Sequence, residues 1–245
     1  MLSERCMRNG LPNWGLRGST RYGRALCRVN AIWLILAIFA AQINGIAVAT
    51  AKPLKIVAIG TSLTQGYNLP PGTDFTAVLQ AQLRAKGHDV SIVNAGVSGD
   101  TSAGGLARLE WALTSDTAGA IVELGSNDAL RGLSVDETRK NLDSVLTKLK
   151  TRGIPTLLTG MKSPRNLGPE YVAAFDAIYP ELAKKHGVLF YPFFLEGVAA
   201  QPKLNQADGI HPNEQGTQII VKAMLPYVEK LIAAIGAKAK PAATN

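Results

Sequence analysis

Residues 56–67 read I-V-A-I-G-T-S-L-T-Q-G-Y. The first four form a short β-branched apolar run, the pattern of a strand buried on both faces of a parallel sheet. The polarity then changes abruptly. Gly60 and Gly66 bracket Thr61, Ser62 and Thr64, so a buried strand delivers a hydroxyl in a tight turn at its carboxyl end. In open α/β sheets that end is where ligands bind. Ser62 in such a turn can equally be a helix cap. It becomes a nucleophile only if the chain also supplies a base, a carboxylate to orient it and donors for an oxyanion.

The pattern that follows alternates strand and helix. A loop at 68–73 (N-L-P-P-G-T) leads to helical spacing at Phe75, Val78, Leu79 and Leu83, closed by Gly87. The second strand, 90–94, runs into A-G-V-S-G-D-T, where Gly99 can bring a bare backbone N–H close to a ligand. No G-x-G-x-x-G or Gly-Lys-Ser/Thr accompanies these turns, so a phosphate loop is not indicated. A helix is expected over 103–113 and a third strand over 120–124, ending in Gly125-Ser126-Asn127-Asp128, where Asn127 alone could serve only an Asx-turn. The helix at 134–152 carries a capping box (Ser134, Glu137) and an apolar face of Leu142, Val145, Leu146 and Leu149. A fourth strand at 155–161, a helix at 171–185, a fifth strand at 188–191 and a last helix at 214–235 complete the alternation. Five strands with crossover helices predict one parallel sheet covered on both faces.

Composition limits the function classes. Six arginines between Arg5 and Arg28 precede an apolar run at 31–41 and small residues ending Ala49-Thr50-Ala51, the layout of a secretory signal. The predicted organisation is a cleaved signal peptide at 1–51, one domain at 52–236 and a disordered tail at 237–245. The competing reading of 31–51 is an uncleaved anchor, although Gln42, Asn44 and Gly45 interrupt it. Cleavage leaves 194 of the 245 residues and, by taking away six Arg and one Glu, lowers the formal net charge from +8 to +3. No basic stripe with interleaved aromatics remains, so nucleic acid is not an expected partner. Both cysteines, Cys6 and Cys27, fall in the removable segment, which suits an oxidising periplasm or secretion.

Of three histidines, His88 and His186 adjoin glycines at helix ends, where solvated roles are expected. His211 lies three residues after Asp208 in D-G-I-H-P-N, so carboxylate and imidazole can share one turn. The pair could also be a surface turn or half a metal site, but no ligand cluster at metal spacing accompanies it.

The ordered blocks G-T-S-L-T, S-G-D-T, V-E-L-G-S-N-D-A-L-R-G, F-D-A-I-Y and D-G-I-H-P-N resemble the SGNH (GDSL-type) hydrolases over about residues 54–230, most closely their arylesterase, thioesterase I and lysophospholipase branch. The resemblance implies a flavodoxin-like three-layer α/β/α sandwich. It makes Ser62 the nucleophile and Asp208 with His211 the rest of the triad. It places the oxyanion on the backbone N–H groups of Ser62 and Gly99 and the side chain of Asn127. Thr61 stands where the family usually has Asp. The implied activity is hydrolysis of carboxylic esters, extending to thioesters or lysophospholipids, with no cofactor and no metal. The expected partner is a small-molecule ester, with transient contact to membrane lipid and a monomeric state as further expectations. A carbohydrate O-deacetylase and a catalytically inactive binding module are the alternatives.

Overall fold

The computed structural model describes residues 52–239; the expected signal peptide and the last six residues lie outside them. Within that span, the apolar run at the start of the quoted stretch is the core of strand β1 (Leu54–Gly60), buried from Ile56 onward. The other strands are β2 (Val90–Gly96), β3 (Gly119–Glu123), β4 (Thr156–Thr159) and β5 (Leu189–Tyr191). All pair in parallel in the order β2-β1-β3-β4-β5. The two halves of the sheet diverge between β1 and β3, the switch point at which such sheets open a crevice.

Helices α1 (Ser62–Gln65), α2 (Phe75–Ala85), α3 (Ser102–Ala107), α4 (Leu109–Ala112), α5 (Ser126–Leu130), α6 (Val135–Thr151), α7 (Pro169–His186) and α8 (Glu214–Ala239) complete the described fold. On one side of the sheet α2 packs against α8; on the other α6 packs against α3 and α7. This is the expected three-layer α/β/α sandwich. The core is filled by the β-branched strand residues and by the leucine face of α6, with Phe75, Phe175, Tyr179 and Phe194 as its largest buried side chains.

Several local expectations need correction. The helix expected at 103–113 is two short helices that break at Arg108. Gly104 and Gly105 weaken the helix, and Arg108 turns its guanidinium inward to the carbonyls of Gly60 (2.9 Å) and Ala95 (2.8 Å). Only half of the capping box forms. Ser134 Oγ accepts the Glu137 N–H at 3.3 Å, while the Glu137 carboxylate binds Lys140 instead. His186 is not solvated: its side chain is 7% exposed and pairs with Asp143 at 2.6 Å. The tail expected to be disordered from 237 begins as helix. Helix α8 continues through Ala239, with Ile235 buried near Gly119 and Lys238 reaching the Gly153 carbonyl.

Strand register aligns the carboxyl ends that matter. Gly60 pairs with Gly96 on one side and with Glu123 on the other, so the turns after β1, β2 and β3 emerge side by side. Gly96 permits this closeness: a Cβ there would lie 2.2 Å from the Gln65 backbone nitrogen and 2.8 Å from the Thr61 carbonyl oxygen. Gly96→Ala is therefore expected to overpack rigid backbone, at a cost of about 1–3 kcal/mol. Thermal unfolding of the variant should occur roughly 3–10 °C lower, whereas an unchanged Tm would show that the two turns separate freely.

Candidate active site

Ser62 is the first residue of the single turn α1. Thr61 precedes it as the cap, its Oγ1 accepting the Leu63 N–H at 3.3 Å, and Gly66 closes the turn in the left-handed region at φ 83°. The serine is thus held half-exposed at the mouth of the crevice while its neighbours Thr61, Leu63 and Thr64 are buried.

The loop before α8 brings up the other two side chains. His211 Nε2 lies 2.9 Å from Ser62 Oγ, and His211 Nδ1 lies 2.7 Å from Asp208 Oδ2. Asp208 Oδ1 accepts the backbone N–H groups of Ile210 (2.9 Å) and His211 (3.0 Å), which fixes the carboxylate against its own turn. The His211 backbone N–H above all, aided by the imidazole and the Ile210 N–H, holds Asp208 down at about 2, below the ordinary carboxylate range, against the opposing effect of burial. An ionised Asp208 accepts Nδ1–H, and that tautomer leaves Nε2 free to accept from the serine. Gln206 ties this loop to the serine's loop by donating to the carbonyls of Tyr67 (2.8 Å) and Pro212 (3.0 Å). The Tyr67 ring packs on the His211 ring with centroids 4.7 Å apart.

Gly99 and Asn127 come from the turns after β2 and β3. Gly99 has φ 82°, a conformation that favours glycine. The two turns are joined: Asn127 Nδ2 donates to the Asp100 carbonyl at 2.8 Å, and Arg131 donates to the Gly99 carbonyl at 2.9 Å. One amide hydrogen of Asn127 is thereby fixed, which orients the other. Beneath Asn127, buried Asp128 accepts from the Ser102 N–H and hydroxyl and from Thr138.

A further group in the site had no assigned role in the sequence reading. Glu123, the last residue of β3, is 0% exposed and accepts from Thr61 N (2.9 Å), Thr61 Oγ1 (3.0 Å) and Thr64 Oγ1 (2.9 Å). Burial pushes its carboxyl up to about 7, with the donors acting in the opposite direction. The signal for it was available: a lone charge inside the apolar run 120–124. Beside Ser62 and His211, walled by Leu69, Phe75, Phe194 and Ile220, the free space amounts to only ≈ 10 Å³. Tyr67, Val97, Leu133 and Ile210 on these loops and Leu130 at the end of α5 are exposed apolar residues.

Comparison with known proteins places the chain in a family. Residues 58–219 match the model of the GDSL-like lipase/acylhydrolase family. The chain is similar to Esterase TesA of Pseudomonas aeruginosa, at 38% identity over 74% of this chain and 91% of that protein. It is also similar to thioesterase 1/protease 1/lysophospholipase L1 of Escherichia coli K12, at 38% identity over 72% of this chain and 84% of that one. Among solved structures, AlinE4, an SGNH-hydrolase family esterase, is 44% identical with a TM-score of 0.63, covering 79% of this chain and all of the other. The chain belongs to the GDSL-like lipase/acylhydrolase family.

Proposed function

We propose that the protein hydrolyses carboxylic esters through an acyl-enzyme on Ser62. The observation that carries this reading is the unbroken relay from Asp208 through His211 to Ser62 at the end of β1. His211 Nε2 takes the Ser62 proton as Oγ attacks the acyl carbonyl. The imidazolium that forms is stabilised by ionised Asp208, which keeps its charge throughout. The oxygen of the tetrahedral adduct is received by the backbone N–H groups of Ser62 and Gly99 and by the second amide hydrogen of Asn127. Collapse of the adduct breaks the bond to the leaving alcohol or thiol, which His211 protonates. Water, deprotonated by the same nitrogen, then attacks the acyl-serine and regenerates the free hydroxyl.

The substrate class follows from the walls of the site. The ≈ 10 Å³ beside Ser62 is about what one water requires, so it does not admit a buried acyl chain. The exposed Tyr67, Val97, Leu130, Leu133 and Ile210 instead offer an open apolar rim. These features favour small acyl groups with aromatic or otherwise apolar leaving groups that lie on the rim. The relatives' names, esterase and thioesterase 1/lysophospholipase L1, support a range of ester and thioester substrates. Export to the periplasm or beyond is part of the same reading and rests on residues 1–51. No helix among the described residues is long and apolar enough to cross a membrane.

Ser62→Ala and His211→Ala are each expected to abolish nearly all turnover of an aryl ester, and the double variant to be scarcely worse than either. Asn127→Ala should retain fluorophosphonate labelling of Ser62 while turnover drops about 10²- to 10³-fold, as for loss of one oxyanion donor. Wild-type hydrolysis by pure Ser62→Ala would overturn the assignment of Ser62 as the nucleophile, and absence of hydrolysis and of fluorophosphonate labelling in the wild type would favour a binding module. In a series of acyl esters with a common leaving group, kcat/KM should be highest for the shortest chains; a steady rise with chain length would contradict the closed wall at Leu69 and Phe194.

A further inference from the structure

We propose that Glu123, as a carboxylate, is the positioning residue for Ser62: it holds from below the turn on which the serine sits. The proposal rests on Ser62 being the nucleophile, and it adds a group outside the Asp208–His211 relay.

The geometry is closed around this side chain. Glu123 pairs in register with Gly60, so its carboxyl extends beneath the residues that follow Gly60. Its three donors are the Thr61 N–H, the Thr61 hydroxyl and the Thr64 hydroxyl, which lie on both sides of Ser62. Thr61 Oγ1 also accepts from Leu63 N (3.3 Å) and Ser126 Oγ (3.4 Å), so its own hydrogen is directed to Glu123. A carboxylate is an acceptor only and takes all three. All three end on Oε2; protonation at Oε1 turns Oε2 into the oxygen of a neutral carboxyl, which accepts about half as strongly as a carboxylate, and the turn is held less firmly. The cluster has no slack. A Cβ on Gly60 would lie 1.9 Å from Thr64 Oγ1 and 2.6 Å from Glu123 Oε2.

All three donors are uncharged. The ionisable groups on neighbouring elements are occupied elsewhere. Tyr179 of α7 donates to the Leu124 carbonyl at 3.0 Å, Asp128 of α5 binds Ser102 and Thr138, and Arg108 pairs with Asp100. His211 lies beyond Ser62, on the solvent side of the turn. Burial therefore outweighs the donors and brings Glu123 to about 7 from an ordinary value of 4.5.

Stability and turnover then respond to the same proton with opposite signs. For a carboxyl whose folded pKa is raised, the stabilising contribution is complete below 4.5 and is lost as pH rises through about 7. The turn is fully held only in the other form, when Glu123 is charged.

The test compares purified wild type, Glu123→Gln and Thr64→Val, each counted by fluorophosphonate titration of Ser62. The readouts are kcat and KM for an aryl ester across pH, and thermal unfolding over the same range. Wild type should show an acid-side loss of kcat/KM at about pH 7, from protonation of Glu123, that Glu123→Gln lacks. Displacement of a nucleophile by a fraction of an ångström to an ångström costs up to about a hundredfold, so Glu123→Gln should lose roughly ten- to a hundredfold in kcat with KM unchanged. The wild-type decline in Tm between pH 4.5 and about 7 should be absent from Glu123→Gln. Thr64→Val removes a donor that lowers the Glu123 pKa, so the Glu123-dependent loss should move to higher pH. If Glu123→Gln does not fold, the Thr64→Val shift decides. Identical acid limbs in wild type and Thr64→Val, or wild-type kcat in Glu123→Gln, would overturn the proposal. Failure of wild type to react with the fluorophosphonate would overturn it at the earlier step, the Ser62 assignment.

Discussion

The alignment of Gly60 with Gly96 on one side and Glu123 on the other is the constraint on which the site depends. Three strand ends stop at the same level, so three turns meet at the switch point of the sheet. Each turn supplies a different chemical group: a hydroxyl from the first, an exposed backbone N–H from the second, a side-chain amide from the third. The cost of this convergence is crowding. Gly60 and Gly96 have no room for a Cβ, and Arg108 binds the Gly60 and Ala95 carbonyls beside them. The geometry of the candidate site is therefore inherited from sheet register, with the helices serving to keep that register buried.

Thr61 becomes intelligible from the same contacts. The sequence showed only that a threonine stands where the family usually has Asp. In the structure that side chain faces a buried carboxyl at 3.0–3.2 Å. A hydroxyl can donate to that carboxyl and accept from Leu63 N together, which an ionised Asp could not do. Two carboxyls at this distance would have to share a proton. Thr61 thus leaves Glu123 as the single acid of the cluster and makes its charge state depend on burial and on neutral donors.

What the sequence disclosed, and what it withheld, has a physical pattern. The strands were legible because β-branched runs such as Ile56–Ile59 and Ala120–Val122 are short and bounded by glycine turns, the pattern of strands buried on both faces of a sheet. The Asp208–His211 spacing was legible because one turn enforces it. Short-range spacing could not show that Arg108 ends a helix, since its partners, Gly60 and Ala95, are distant in sequence. His186 was misread for the same reason: Asp143, which buries and pairs with it, lies on another helix. The extension of α8 past Ile235 depends on packing against Gly119 and Gly153, which a polar Ala/Lys composition does not reveal.

Two carboxylates flank Ser62 at different removes, and their surroundings drive them apart. Asp208 sits in a turn of its own making, where two backbone N–H groups and the imidazole favour its charge and keep it near 2. Glu123 has as many donors but no solvent, and burial takes it to about 7. Hydrogen-bond number therefore does not decide the outcome; access of water to the charge does. Asp208 accordingly remains ionised wherever His211 can act as a base and contributes no pH dependence of its own near neutrality. Of the two carboxyls, only the one beneath the turn changes charge near neutrality. The strand that leads to Asn127 thus also carries the acid on which the serine's turn rests, so one element serves both the candidate oxyanion site and the support of the nucleophile.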